Sequence, residues 1–333
     1  LRKRPACALA ATIAVAGALG GCGGGASRSS SSSTSAASSR TTTSRAVSRP
    51  RPPVALRQSR RLALPAARAG GAAAAFGGQI VFAGGLSKAD VSTDTVFALR
   101  PSGSVARLPP LPSPIHDAAA AAVGNRLLVF GGGVSEGSDH ILQVRPGPPH
   151  RVGTLPQALS DLVAVQVGGL AYVAGGWNGS AANRAIYAVS AAARVQTVGR
   201  LPIGVRYPAA AALGGRLLIA GGETTSGAPT GAAWSFAPST GAVRRLPSLP
   251  APTDHAAGVA LDGRFYVLGG LRRGTLTPVI ISWAPGERRW RRSGALPVAL
   301  ADASAVPSAG GITLLGGRGA AGRVATITVL VPH

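Results

Sequence analysis

The stretch Ala209-Ala-Ala-Ala-Leu213-Gly-Gly-Arg-Leu-Leu-Ile-Ala220-Gly-Gly222 decides the fold. An alanine run, a glycine turn, a leucine- and isoleucine-rich run and a second glycine pair follow one another without spare residues. Leu201-Pro202 precedes this stretch. After it come a variable loop, the run from Ala232 to Ala237, a glycine at 241 and Val243-Arg-Arg-Leu-Pro247. Four short runs separated by turn residues read as four strands. The first, small and apolar, suits an innermost strand crowded around an axis. The second suits a strand buried on both faces. The glycine pair closes that second strand, where the backbone turns tightly and passes close to its neighbours.

The same glycine pair recurs at 84–85, 131–132, 175–176, 221–222, 269–270 and 316–317, and the steps between second glycines are 47, 44, 46, 48 and 47 residues. A fixed period in the forties is one supersecondary unit repeated. This unit resembles the kelch repeat, a four-stranded propeller blade. That family carries a double glycine after the second strand, an aromatic residue in the third and a Trp about seven residues later. Phe97, Tyr187, Phe236 and Trp283 match the third-strand aromatic, and Trp290 alone matches the Trp; Val105, Val195 and Val243 stand in its place in three other copies. Leu-Pro ends the fourth strand at 111–112, 155–156, 201–202, 249–250 and 296–297. The resemblance covers residues 54–333 and implies an all-β, six-bladed kelch-type β-propeller.

The sixth glycine pair leaves room for one strand, Val324 to Val331. Upstream of the first pair, Val54 to Leu62 is followed by Leu64-Pro65. The N-terminal strand is therefore expected to complete the last blade, closing the ring and removing exposed strand edges.

The net charge is +23, with 34 basic and 11 acidic residues. Residues 1–68 hold 12 of the basic residues and none of the acidic ones, which leaves 22 basic against 11 acidic, or +11, for the rest. Lysine occurs only at Lys3 and Lys88, so the arginine excess reads as codon bias. No nucleic-acid motif or basic run interleaved with aromatics is present, which argues against a nucleic-acid partner. Arg2-Lys3-Arg4, the apolar run Ala6 to Leu19 and Leu19-Gly20-Gly21-Cys22 follow the order of an export signal. The apolar run is too short for a good membrane span. Its end resembles the bacterial lipobox, which implies that residues 1–21 are removed and that Cys22 carries lipid. Residues 22–53 read as a disordered Ser/Thr/Arg/Pro-rich tether and 54–333 as the propeller. The expected location is extracytoplasmic, on the cell membrane. The two cysteines are Cys7 and Cys22, so the folded domain offers no disulfide and no thiolate metal site. No cofactor or metal is expected, and the chain is read as a monomer.

Loops on a rigid scaffold carry function. Just past each Leu-Pro stand Arg68, His116-Asp117, Ser160-Asp161, Arg206-Tyr207, Asp254-His255 and Asp302, so that four of the eight aspartates and two of the five histidines fall there. Two readings remain open. The carboxylates line a channel mouth and accept from sugar hydroxyls, with Arg68 and Arg206 clamping a carboxylate. Alternatively, each Asp caps backbone N–H groups where an inner strand begins. His116, Arg206, Tyr207 and His255 break the symmetry and are the stronger functional candidates. The loops after the glycine pairs add Trp177, suited to stacking on a sugar ring, and Glu223; Glu136 lies in a third such loop. No carboxylate pair stands out by spacing as a glycosidase pair.

Three functions follow. The favoured one is a non-catalytic module binding a glycan or partner protein at the mouth. Resemblance to the sialic acid mutarotases implies a sugar isomerase instead, with Glu223, His116, His255 and Arg206 as acid–base candidates. The third is an envelope scaffold without a small ligand. Galactose oxidase shares the kelch propeller, but its copper site needs a Cys-linked Tyr, which a domain without Cys cannot form.

Overall fold

A computed structural model describes residues 55–133 and 137–333. The signal segment, Cys22, the tether and the loop residues Val134, Ser135 and Glu136 lie outside the described residues. The described chain is all-β, a succession of short strands and turns.

Antiparallel groups of four repeat along it. Ala72–Phe76, Gln79–Ala83, Val96–Leu99 and Val105–Leu108 pair in that order. The stretch quoted at the outset forms Ala209–Leu213 and Arg216–Ala220, followed outward by Ala233–Ala237 and Ala242–Arg245. Ala257–Leu261, Arg264–Leu268, Val279–Trp283 and Arg291–Ala295 repeat the pattern. One boundary departs from expectation. His150–Val167 is a single long strand that runs through Leu155-Pro156, where the sequence suggests an end. Its first part pairs with Ser138–Arg145 and its second with Leu170–Trp177. One extended segment is thus the outer strand of one group and the inner strand of the next.

The expected strand exchange is present. Leu56–Ala63 pairs antiparallel with Thr326–Pro332, from Leu56 opposite Pro332 to Ala63 opposite Thr326, with a bulge between Gln58 and Arg60. The group is completed inward by Gly311–Leu315 and Ser304–Ser308. The innermost strands touch in cyclic order: Ala72–Phe76, Ala119–Val123, His150–Val167, Ala209–Leu213, Ala257–Leu261, Ser304–Ser308 and back to the first. The fold is a β-propeller.

Its cores lie between neighbouring groups rather than at the centre. Leu217, Ile219, Trp234 and Phe236 pack against Tyr172, Ile186 and Leu201 of the preceding group. Leu64, Ile80, Phe82 and Phe97 pack against Val306, Leu315 and Ile327, joining the first and last groups. Phe97, Tyr187, Phe236 and Trp283, the third-strand aromatics, are all buried in such seams. Full burial of one such aromatic contributes about 2–3 kcal/mol. The leucines of Leu64-Pro65, Leu111-Pro112, Leu155-Pro156, Leu201-Pro202, Leu249-Pro250 and Leu296-Pro297 are buried too, from Leu201 at 0 % exposure to Leu249 at 6 %. Leu-Pro therefore anchors the passage between groups.

The glycine pairs have a specific role. Gly222 N–H donates to the Thr253 carbonyl at 2.9 Å, and Gly176 N–H donates to the Val205 carbonyl at 2.9 Å. Corresponding bonds join Gly85 to Ile115, Gly132 to Leu159, Gly270 to Leu300 and Gly317 to Arg68, completing a circle of ties between neighbours. Gly221 and Gly222 both have positive φ. A Cβ on Gly221 would strike the Thr253 carbonyl of the next group, and one on Gly222 would lie 2.6 Å from the Arg206 carbonyl of its own. The pair is two adjacent positions with no room for a side chain, one facing the next group and one the entry to its own inner strand.

Candidate functional site

Each inner strand is entered through a residue in the left-handed conformation, which for the long strand His150–Val167 lies within it. These residues are Gly70, Asp117, Asp161, Tyr207, His255 and Asp302, with φ between 51° and 62°. Each N–H donates to the carbonyl of the one before. The bonds run from Asp117 to Gly70 at 2.7 Å, Asp161 to Asp117 at 2.8 Å, Tyr207 to Asp161 at 2.9 Å and His255 to Tyr207 at 3.2 Å. Asp302 to His255 at 3.0 Å and Gly70 to Asp302 at 2.9 Å close the circle. Asp tolerates this conformation better than most residues, which explains its recurrence. Tyr207 adopts it at greater cost, a mark of a position where something other than backbone economy is at work.

The side chains of this circle converge. The rings of Tyr207 and His255 stack with centroids 3.7 Å apart. The Tyr207 hydroxyl donates to Asp117 Oδ2 at 3.5 Å. His255 Nε2 lies 3.9 Å from Asp302 Oδ1. Gly70 makes room for this packing, since a Cβ there would collide with the Asp117 carboxylate.

Burial and mutual repulsion set the charges. Burial, then the charges of Asp161 and Asp302, push the Asp117 carboxyl up to about 8, against smaller opposing effects of His255 and Tyr207. Asp117 therefore holds a proton near neutrality. Burial also raises Asp161, offset in part by hydrogen bonds from Ser160 and Tyr207 and by Arg206. Burial and the Asp117 and Asp161 charges drive the Tyr207 phenol upward, so it remains a donor. For His255, burial pulls the imidazole down. The hydrogen bond with Asp254 and the charges of Asp302, Asp254 and Glu223 more than reverse this, for a net rise.

A second tier lies one residue earlier in sequence. Arg206 and Glu223 face each other across an isolated bridge, as do His116 and Gly133, Asp254 and Leu271, and Ala301 and Arg318; Ser160 opposes Trp177 in the same way. These pairs join the start of each inner strand to the loop after the glycine pair. Arg206 donates to Glu223 Oε2 through Nε at 2.9 Å and Nη2 at 2.8 Å. Its Nη1 lies 3.7 Å from Asp161, and its guanidinium sits over the Trp177 ring at 4.9 Å. His255 Nδ1 bonds Asp254 Oδ1 at 2.6 Å and lies 3.9 Å from Glu223 Oε1. Arg318 Nε donates to Asp302 at 3.1 Å. His116 Nδ1 is 2.9 Å from the Ser92 hydroxyl, and burial with nearby Arg323 lowers its imidazole, partly countered by Asp90.

The structure thus brings together Asp117, Asp161, Trp177, Arg206, Tyr207, Glu223, Asp254, His255 and Asp302, with His116 at the edge, 3.8 Å from Asp117. Arg68 stands apart. It precedes the circle by two positions, and its guanidinium bonds the Ala67 carbonyl at 2.7 Å and the Thr95 hydroxyl at 3.3 Å. Arg206 reaches the mouth already paired. The register also differs from the sequence reading, since Asp254 belongs to the second tier and His255 to the circle. Gly70 of the circle and Arg323, which pairs with Asp90, were not singled out. The signal was there for Gly70: every circle residue is the fifth after the Pro of a Leu-Pro.

Below the circle a cavity of about 800 Å³ follows the axis, lined chiefly by alanines of the inner strands, among them Ala74, Ala121, Ala211 and Ala260. Donor atoms of Glu223, Asp254 and His255 come within 4.8 Å of one another, close enough to consider a metal ion. They already serve one another and Arg206, so the trio is a satisfied hydrogen-bonded cluster. The arrangement offers hydroxyl groups several carboxylate acceptors beside a phenol and a protonated carboxyl.

No protein-family model matches the chain, and no curated protein matches its sequence. Among solved structures it is similar to one titled "Structure of YjhT", at 16 % identity, with 81 % of this chain and 96 % of that one covered and a TM-score of 0.72. That likeness concerns the fold.

Proposed function

We propose that the chain is a six-bladed kelch-type propeller, tethered outside the cell membrane through lipid on Cys22, whose mouth binds a polyhydroxyl ligand, a glycan. One observation carries the binding reading: Asp117, Asp161, Tyr207, His255 and Asp302 converge at the strand origins, with Glu223 and Asp254 beside them. Carboxylates accept from vicinal hydroxyls, and protonated Asp117 and the Tyr207 phenol donate. Arg206 is already paired with Glu223, and Arg68 stands apart from the mouth, which favours hydroxyls over a ligand carboxylate. A glycan array probed with the wild type and with Glu223→Gln tests this. Binding should weaken at least about tenfold in the variant, the scale of one lost charged hydrogen bond. An array without any hit, or hits that Glu223→Gln leaves intact, contradicts it.

A second reading rests on Asp117. A carboxyl raised to about 8 that interacts with His255, which itself meets Asp254 and Glu223, has the features of an acid–base site. The resemblance to sialic acid mutarotases implies assistance to sugar ring opening. Acceleration of anomer exchange in sialic acids, measured by NMR and lost in Glu223→Gln, would establish it in place of simple binding.

A further inference from the structure

The charges of this domain are segregated. Asp117, Asp161, Glu223, Asp254 and Asp302 gather at the mouth, whereas the outer circumference carries arginine. Eleven exposed arginines, Arg57, Arg60, Arg61, Arg100, Arg107, Arg244, Arg245, Arg288, Arg289, Arg291 and Arg292, stand on the outer strands and adjoining turns of four consecutive groups, against three, Arg151, Arg194 and Arg200, on those of the other two. Codon bias explains arginine in place of lysine, but not the separation of the two signs.

The arc is continuous. Trp290 Nε1 donates to the Pro247 carbonyl at 2.8 Å, linking Arg288–Arg292 to the chain just after Arg244 and Arg245. Gly294 pairs with Leu56, next to Arg57. Arg60 donates to the Ser102 carbonyl at 3.4 Å, beside Arg100. Among the described residues Glu287 alone forms an ion pair within the arc, and it divides its carboxylate between Arg264 and Arg291.

We propose that the middle of this arc, Arg57, Arg60, Arg61, Arg288, Arg289, Arg291 and Arg292 on two adjoining groups, lies against an anionic lipid surface. Such a surface attracts clustered arginines within about a Debye length, roughly 10 Å at 0.1 M salt. Two observations favour lipid over nucleic acid. The arc has no exposed aromatic on which a base could stack: Trp290 is 5 % exposed, and the exposed large hydrophobic residues, Val91, Ile203 and Val298, lie elsewhere. The polypeptide also enters the domain within the arc, at Leu56–Ala63, directly after a sequence holding Arg49, Arg51 and, further upstream, Cys22. A lipid on Cys22 would bring this side toward the bilayer. The inference uses that part of the proposed function for delivery and none of it for the contact itself.

The test uses the full chain with Cys22→Ala, which cannot be lipidated, so failure of anchoring and failure of the arc are read separately. Co-sedimentation is measured at 0.1 M salt with vesicles of phosphatidylglycerol and phosphatidylcholine, and with phosphatidylcholine alone. Two charge-matched variants are compared: Arg61→Gln/Arg289→Gln/Arg292→Gln in the arc, and Arg151→Gln/Arg194→Gln/Arg200→Gln outside it. One arginine at the surface is worth about fivefold in partitioning. The arc variant should lose at least about tenfold on anionic vesicles and the control less than about twofold. Equal losses, no binding to anionic vesicles, equal binding to phosphatidylcholine, or tighter binding to single-stranded DNA than to anionic vesicles would overturn the proposal.

Discussion

The ring of Tyr207 stacks on the imidazole of His255, centroids 3.7 Å apart and planes 23° apart. Both residues are left-handed and adjacent in one circle of backbone hydrogen bonds. The stack fixes the imidazole so that Nδ1 meets Asp254 at 2.6 Å while Nε2 faces Asp302. His255 should therefore titrate above the ordinary histidine value of about 6.5. The stability it contributes is complete below that value and is lost as pH rises through the folded-state value. NMR titration of the imidazole checks this, and Asp254→Asn should lower the midpoint.

Asp117 has the opposite consequence. Its carboxyl is raised to about 8 in the fold against 3.8 ordinarily, so the folded state binds the proton more tightly than the unfolded chain. Stability from this group falls as pH climbs between those values and is then constant. Asp117→Asn keeps the shape without the ionisation. It should raise the melting temperature at pH 8.5, by about 2 °C or more for each kcal/mol recovered, with little change at pH 4. Destabilisation at pH 8.5 would show that the carboxylate is needed there.

The glycine pairs predict a contrast in stability. Gly221→Ala puts a Cβ against the Thr253 carbonyl at positive φ, whereas Gly227, also at positive φ, has open space around it. Thermal or denaturant unfolding should show a loss of about 1–2 kcal/mol for Gly227→Ala and at least about 3 kcal/mol for Gly221→Ala.

Much of this architecture was legible in the chain. The glycine pairs, the alanine-rich first strands and the buried leucines of Leu-Pro are local patterns that recur by necessity in every group. The N-terminal strand was also readable, because Leu64-Pro65 repeats the signature that ends other fourth strands. The site was less legible. Recurrent Asp drew Asp254 into the same position as Asp117, although counting five residues from each Pro places His255 there. The Arg206–Glu223 pair joins two loops across a bridge, and Arg323 meets Asp90 across the junction of last and first groups. Such pairings depend on ring closure, which no local pattern reports.

Closure itself predicts a sharp boundary for truncation. Removing residues 1–54 should leave the melting temperature unchanged. Removing 1–64 strips the partner of Thr326–Pro332 and Leu56 and Leu64 from two cores, exposing a strand edge. Size-exclusion chromatography and thermal melting should show aggregation or a large loss of stability for the second truncation only.

The claim that the mouth of the circle binds a polyhydroxyl ligand is tested most directly by calorimetry. The strongest glycan from an array is titrated into the wild type, Asp302→Asn and Asp262→Asn. Asp262 is exposed, at the far end of the inner strand that His255 precedes. The account predicts at least about tenfold weaker binding for Asp302→Asn, with melting temperature near that of the wild type and affinity unchanged in Asp262→Asn. Equal affinity in all three, or no heat of binding in the wild type, would contradict it.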